Sequence, residues 1–271
     1  MGGNRILVGE PEGKKPPGRP RRRSIESSNF EGYVGIQESW EDNISKDEQW
    51  AEINIDRRRL SYIEKDCFEK SQNYCSTALN LKEIPYDIKP VSLIKAGGEQ
   101  HCNEYREINP MEQVPALHID GHTLVESLSI MHYLEETRPS RPLMPQDVHK
   151  RAKVREICEV IASGIQPLQN LIVLIYVGEE KKKEWAQHWI NRGFRAVEKL
   201  LSACAGKYCV GDEISIADCC LIPQVFNARR FHVDLRPFPI ILRIDRELEN
   251  HPAFRAAHPS NQPDCPPEAT K

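Results

Sequence analysis

A two-residue turn between two short apolar segments limits the folds open to this chain of 271 residues. Asp120-Gly121 separates Ala116–Ile119 from His122–Val125, and such a dipeptide is the strongest short-range signal for a β-hairpin. From Ser127 to Glu136, apolar residues recur at helical spacing, which predicts a helix directly after the second strand. Any fold for this chain must therefore contain this hairpin and the helix that follows it.

The chain on either side of the hairpin divides into a mixed segment and a helical segment. Before the hairpin, the sequence predicts a helix in Ser71–Lys82, a strand in Tyr86–Leu93 and a short helix at Glu104–Ile108. Prolines in residues 138–147 indicate a linker. The chain after this linker predicts a helix at Val148–Ile165, which is interrupted at Gln166-Pro167 and resumes through Val177. It also predicts helices at Lys181–Ala203, Ser215–Val225 and Ile240–Glu249. A proline-rich tail is expected to follow the surface from His251. The predicted fold class is therefore α/β followed by all-α, and Ser215 with Asp218 has the form of a capping box.

The first sixty residues differ in composition from the rest of the chain. Gly9–Arg23 combines four prolines with a run of basic residues and cannot bury enough apolar surface to offset its ordering entropy, so residues 1–60 are expected to be disordered. Residues 5–23, which contain GEPEGKKPPGRPRRR, resemble the tail of non-LTR retrotransposon reading frames. Gly18-Arg19-Pro20 also resembles a DNA minor-groove motif, but its single copy and the net charge of −3 favour a solvated tail over nucleic-acid binding.

Composition also limits the cellular setting that we expect. The sequence has no run of 18 or more apolar residues, so we expect no membrane-spanning helix. Its first residues lack the apolar core of a secretory signal. The nine cysteines form no Cys-x-x-Cys pair and no Cys/His cluster with zinc spacing, so we expect free thiols in a reducing cytoplasm and no metal site.

Two neighbouring motifs could bind a short peptide. Val114-Pro115 precedes a predicted strand, where a cis peptide bond would leave the backbone of Val114 facing outward for strand-like pairing. Glu126-Ser127 lies at the start of the predicted helix, whose free N–H groups and dipole favour a carboxylate. Taken alone, however, the first motif is more often an ordinary turn and the second an ordinary capped helix.

Five longer stretches carry a more specific pattern. They are LIKAGGEQ, INPMEQVPALHIDG, VESLSIMHYLEETRP, ASGIQPLQNL and YCVGDEISIADCCLIPQVFNARRF. Together they resemble the zeta class of glutathione transferases, the maleylacetoacetate isomerase family, over residues 74–271. The resemblance implies a thioredoxin-like domain over 61–141 with a degenerate first strand, an all-helical domain over 142–271, and a cytoplasmic homodimer.

The resemblance also implies a cofactor, a reaction and a set of site residues. Glutathione is expected to be bound by Gln100, Val114, Glu126, Ser127, Gln166, Asn170 and Leu171. Glu126 stands where the family usually has glutamine, and its carboxylate can still accept from the γ-glutamyl ammonium. Arg230 matches an arginine that receives the substrate carboxylate. The implied activity is isomerisation of maleylacetoacetate to fumarylacetoacetate in tyrosine and phenylalanine catabolism, with glutathione transfer to α-haloacids.

One family motif is replaced in this chain. The thiol-activating stretch Ser-Ser-Cys-Ser-x-Arg-Val-Arg falls on residues 69–76, so its first serine becomes Glu69, whose carboxylate would raise the pKa of a nearby thiol. Ser71 occupies the position of the reactive cysteine and is the candidate catalytic residue. The strand before it falls on Tyr62–Asp66 or, with a longer loop, on Leu60–Ile63. The alternative function is therefore a catalytically impaired protein that retains at most weak glutathione binding.

Overall fold

The computed structural model describes residues 62–65, 73–93 and 95–262, with the backbone alone described for 62–65 and 96. Four strands, β1 (Tyr62–Lys65), β2 (Asp87–Pro90), β3 (Ala116–Ile119) and β4 (His122–Val125), form one sheet in the order β2-β1-β3-β4. Strand β1 runs parallel to β2 and antiparallel to β3. The predicted hairpin is confirmed, since β3 pairs antiparallel with β4, and Asp120 (φ 53°) and Gly121 (φ 77°) form the turn.

Strand β1 lies within Tyr62–Asp66, where the ungapped match to the family motif predicted the first strand. It is described from Tyr62 to Lys65, whereas Leu60, where the alternative prediction began, lies outside the described residues. The predicted disordered leader, residues 1–60, lies outside the described residues, as do Glu69, the candidate catalytic Ser71 and the last residues of the proline-rich tail.

Three helices accompany the sheet: α1 (Tyr74–Leu81), α2 (Asn103–Ile108) and α3 (Ser127–Thr137). The residue after α1, Lys82, has a buried side chain whose ammonium contacts Glu135 of α3 at 2.7 Å. The same ammonium donates to the carbonyls of Arg138 (2.8 Å) and Arg141 (3.3 Å). A buried ammonium needs such partners, so Lys82 fixes α1 to the end of α3 and to the linker.

The second half of the described chain is helical. It contains α4 (Val148–Gly164), α5 (Leu171–Val177), α6 (Glu179–Cys204), α7 (Ile216–Arg230), α8 (Pro239–Leu248) and α9 (Pro252–Ala257). Apolar side chains of these helices and of α1 and α3 form one continuous buried core, which includes Tyr74, Leu79, Ile130, Leu134, Ile157, Ile161, Ile190, Phe194 and Leu221. The two halves therefore share a core, and it supports the faces where they meet.

Helix α7 begins with the predicted capping box. Ser215 donates its backbone N–H (2.8 Å) and its hydroxyl (3.0 Å) to Asp218 Oδ2, while the Cys209 N–H donates to Oδ1 at 3.0 Å. Burial raises the pKa of the Asp218 carboxyl, although these hydrogen bonds act in the opposite direction and lower it. The predicted end at Val225 is too early, because the helix continues to Arg230 with Pro223 inside it.

The start of the proline-rich tail also differs from the prediction. Residues Pro252–Ala257 form helix α9 with a proline in its first turn, whereas the sequence predicted a proline-rich tail along the surface and no helix there. Phe254 is buried, and the Asn80 side chain of α1 donates to the Ala253 carbonyl at 3.1 Å. Contacts with α1 that are distant in sequence therefore stabilise this short helix.

Within the described residues, no single helix is long and apolar enough to cross a membrane; Val148–Gln169 and Leu171–Val177 reach the criterion only as a pair bent by 48°. The described cysteines carry free thiols: Cys75, Cys102, Cys158, Cys204, Cys209, Cys219 and Cys220. No group of three or more potential metal ligands was found in this part of the chain.

Candidate active site

The loop before β3 presents backbone groups at a fixed position. The Tyr105 hydroxyl (2.9 Å) and the Asn109 amide (2.7 Å) both donate to the carbonyl of Gln113. The Val114-Pro115 bond is cis, as the sequence predicted. Within the described part of the chain, the Val114 backbone has no hydrogen-bond partner. This edge is therefore suited to pair with an extended peptide.

The N-terminus of α3 lies beside this edge. Glu126 adopts a positive φ of 66° and its side chain does not cap the helix, while Ser127 is the buried first residue. The Cys75 thiol donates to the Ser127 carbonyl at 3.7 Å, which links α1 to this helix end. The N–H groups of the first turn can therefore receive an anion from the cleft.

A short 3-10 turn at Gln166–Gln169 joins α4 to α5. The Gln169 amide nitrogen donates to the Ile165 carbonyl at 3.1 Å, and its oxygen accepts from Gln224 (3.2 Å) and Asn227 (3.1 Å). These buried bonds fix the turn against α7. The Asn170 oxygen accepts from the Ile172 N–H at 3.2 Å, which leaves its amide nitrogen for a ligand.

The loop before β3, the N-terminus of α3 and this turn enclose a cleft of about 330 Å³, termed the first cleft. Five of the predicted glutathione-binding residues line it: Val114, Glu126, Ser127, Gln166 and Asn170. Among the described residues that line it, the charged ones are Glu126 and Glu159. The first cleft thus joins a backbone edge, a helix N-terminus and two carboxylates.

The remaining predicted residues of the helical half lie in a neighbouring cleft of about 170 Å³, termed the second cleft. Leu171 and Arg230 line it, and Asn170 lines both clefts. Arg230 also stacks on the Phe231 ring, with 5.1 Å from the guanidinium carbon to the ring centroid. The two clefts are therefore adjacent, and Asn170 joins them.

Gln100 lies in neither cleft. Its side chain is buried against Gly98, where an added Cβ would approach the Gln100 amide to 2.6 Å. Its nitrogen lies 3.0 Å from His101 Nε2, and its oxygen has no partner in the described part of the chain. The structure therefore does not place Gln100 in a cleft with the other predicted residues, although the side-chain oxygen of Gln100 could still accept a hydrogen bond.

Sequence reasoning missed several residues that line the clefts. Tyr74 and Glu159 line the first cleft, while Glu179, Lys182 and Asn227 line the second. Burial raises the pKa of the Tyr74 phenol well above its usual 10, so this hydroxyl stays protonated. The position of Tyr74 at the start of α1 was a usable signal, whereas nothing distinguishes Lys182 within the run Lys181–Lys183.

Comparison with known proteins identifies related chains. The family model described as "Glutathione S-transferase, N-terminal domain" matches residues 75–137, and its C-terminal counterpart matches 168–256. "Probable maleylacetoacetate isomerase 2" of Drosophila melanogaster is 88% identical over 191 residues, which are 70% of this chain and 84% of that protein.

Solved structures extend the similarity to the fold. A bacterial maleylpyruvate isomerase described as a zeta-class glutathione transferase aligns with a TM-score of 0.72 and 35% identity, covering 76% of this chain and 100% of its own. Maleylacetoacetate isomerase from Anaeromyxobacter dehalogenans, solved with dicarboxyethyl glutathione and citrate in its active site, aligns with a TM-score of 0.69 and 36% identity over 78% and 96% of the two chains. With the cis-proline edge and the helix N-terminus in one cleft, these similarities establish that the chain belongs to the zeta class of glutathione transferases, the family of the maleylacetoacetate isomerases.

Proposed function

We propose that this protein is a glutathione-dependent isomerase that converts maleylacetoacetate to fumarylacetoacetate. The observation that carries the proposal is the first cleft, where the cis Val114-Pro115 edge and the N-terminus of α3 face one ligand-sized space. The Drosophila relative bears the name of this isomerase, which supports the same activity here. The Anaeromyxobacter isomerase holds a glutathione derivative in its active site, which supports glutathione as the cofactor.

The described residues fit glutathione. The Val114 backbone would pair with the cysteinyl part of the tripeptide, as an added strand does. Ser127 and the first-turn N–H groups of α3 would receive the γ-glutamyl carboxylate, and the Glu126 carboxylate would accept from the ammonium. Gln166 and Asn170 would contact the ligand from the helical side. Gln100 keeps its proposed role as a further contact, since its oxygen is an unused acceptor.

When bound, glutathione would supply a thiolate that adds reversibly to the cis double bond, so that the bond can rotate before the thiolate leaves. The chain's own residues would bind and orient the reactants. Arg230 would hold a substrate carboxylate in the second cleft, and Leu171 would pack beside it. Ser71 remains the proposed hydrogen-bond donor to the thiol, in a segment outside the described residues.

Three further features belong to this proposal. The chain would act as a homodimer in the cytoplasm, and the same clefts would accept α-haloacids for glutathione transfer. The alternative, a catalytically impaired protein that still binds glutathione weakly, is supported by the replaced serine at Glu69. The comparisons favour the enzyme, because close relatives over the matched region bear enzyme names.

Titration of the bound glutathione thiol, combined with an isomerisation assay on the full chain, tests the proposal. We expect glutathione-dependent conversion of the cis substrate and a thiol pKa below that of free glutathione. Binding with an unshifted thiol pKa and no turnover would favour the impaired protein. Absence of glutathione binding would contradict both the enzyme and the alternative.

A further inference from the structure

The second cleft contains a cation that the family motifs do not predict. Lys182 lines this cleft together with Arg230, on the opposite helix α7. Its neighbours Lys181 and Lys183 are exposed and line neither cleft, whereas Lys182 is half-buried. Helical geometry separates consecutive side chains by about 100° around the axis, so one lysine of the run faces the cleft.

The charges of the second cleft do not cancel. Among the described residues that line it, the charged ones are Lys182, Arg230 and Glu179, which carry two positive charges and one negative charge. Glu179 forms an ion pair with Lys182 one helical turn away, at the start of α6. The net charge of these three side chains is therefore positive, and a second anionic group of a ligand would share Lys182 with Glu179.

The proposed substrate has two carboxylates, whereas Arg230 provides a fork for one of them. The Anaeromyxobacter isomerase accommodates dicarboxyethyl glutathione and citrate, which are molecules with several carboxylates. We infer that Lys182 is a specificity-determining residue that binds the second carboxylate of the substrate and selects dicarboxylic over monocarboxylic acids. This inference rests on the proposed function. Glu179 would weaken the selection, because its carboxylate competes with the substrate for Lys182.

A binding experiment tests Lys182 without requiring turnover. Dicarboxyethyl glutathione and carboxyethyl glutathione differ by one carboxylate, so the ratio of their dissociation constants measures recognition of the second carboxylate. Calorimetry would give this ratio for the full chain and for the K182Q, K183Q and E179Q variants. Lys183 is the matched control, because K183Q removes the same charge from the same helix outside both clefts.

We expect wild type to bind the dicarboxylate more tightly and K182Q to reduce the preference about fivefold, within the range of a partly exposed ion pair. K183Q should leave the ratio unchanged within about 1.5-fold, since a solvated charge outside the cleft is screened. E179Q should raise the preference about twofold or more, because it releases the Lys182 ammonium.

Equal affinity of wild type for both probes, or no binding of either probe, would overturn the inference, as would an equal loss in K182Q and K183Q. The isomerisation assay reports on the proposed function separately. A preference that depends on Lys182 in a protein without turnover would refute the isomerase and keep the inference. Turnover without that preference would support the isomerase and refute the inference about Lys182.

Discussion

The two adjacent clefts share Asn170 but differ in charge. Among the described residues, the first cleft carries the carboxylates of Glu126 and Glu159 beside the N-terminus of α3, while the second carries Arg230 and Lys182 with one carboxylate, that of Glu179. The first cleft therefore suits a zwitterion with both an ammonium and a carboxylate, as at the γ-glutamyl end of glutathione. The second cleft suits an acid.

This difference explains how one site could hold two anionic molecules without mixing their positions. The cofactor would be selected by backbone groups and by a helix end, which are fixed by the fold. The substrate would be selected by side-chain charges on α6 and α7, which can change without disturbing the core. Separate substitutions should therefore affect the two ligands separately, except where both clefts depend on the same buried residue.

The largest expected effect comes from Gln169→Leu. Because this substitution would damage both clefts, it should abolish the separate response of cofactor binding and substrate binding. This substitution leaves the buried donors of Gln224 and Asn227 and the Ile165 carbonyl without their partner. We expect the free energy of unfolding to fall by about 2–4 kcal/mol, measured by urea denaturation. Affinity for glutathione and for the diketo acid should fall together.

Gln224→Met is the control for this substitution. It removes one donor to Gln169 and leaves the Gln169 bonds to Ile165 and Asn227. We expect less than half of the loss in unfolding free energy. Unchanged stability of Gln169→Leu would mean that the turn is not fixed by this network.

Arg230→Ala should affect the second cleft alone. Loss of a charge-assisted hydrogen bond to the substrate carboxylate should raise KM for maleylacetoacetate by roughly 10- to 100-fold. The dissociation constant of glutathione should remain within about twofold, because Arg230 does not line the first cleft. Arg236→Ala, which removes an exposed guanidinium paired with Asp234, is the control and should alter neither constant. Parallel changes for cofactor and substrate would contradict the separation of the clefts.

Ser127→Ala should have the converse effect on the first cleft. Loss of one hydrogen bond to the γ-glutamyl carboxylate should raise the dissociation constant of glutathione by about five- to tenfold, as read by calorimetry. KM for the diketo acid at saturating glutathione should stay constant. Ser129→Ala, on the exposed side of α3, is the matched control. A similar loss in both variants would place the effect in helix stability instead of ligand contact.

The smallest effect is expected from Tyr74→Phe, which tests what activates the thiol in the first cleft. Because burial raises the pKa of the Tyr74 phenol well above 10, this group keeps its proton throughout the working pH range. The pH dependence of turnover should therefore show no step from Tyr74 titration. The thiol pKa of bound glutathione should also be the same in both proteins, and an increase in the variant would identify Tyr74 as a donor to the sulfur.

Local patterns predicted much of the fold. The Asp120-Gly121 turn, the cis bond at Val114-Pro115 and the capping box of Ser215 and Asp218 each depend on residues close in sequence, and the structure contains all three. The helix at Pro252–Ala257 and the last turn of α7 were missed, because each is stabilised by a contact distant in sequence, from Asn80 to the Ala253 carbonyl and from Asn227 to Gln169.

The sequence by itself therefore determined the family, the order of the elements and the residue types available for binding. Motifs and local propensity carry that information along the chain. Only the tertiary structure decided that Ser127 and Arg230 line different clefts, that Gln169 is a buried anchor and that Lys182 is the lysine of its run that lines a cleft. The physical reason is that packing of α4, α6 and α7 brings together residues far apart in sequence. Electrostatic interactions between side chains depend on their distance in space, which the sequence does not give.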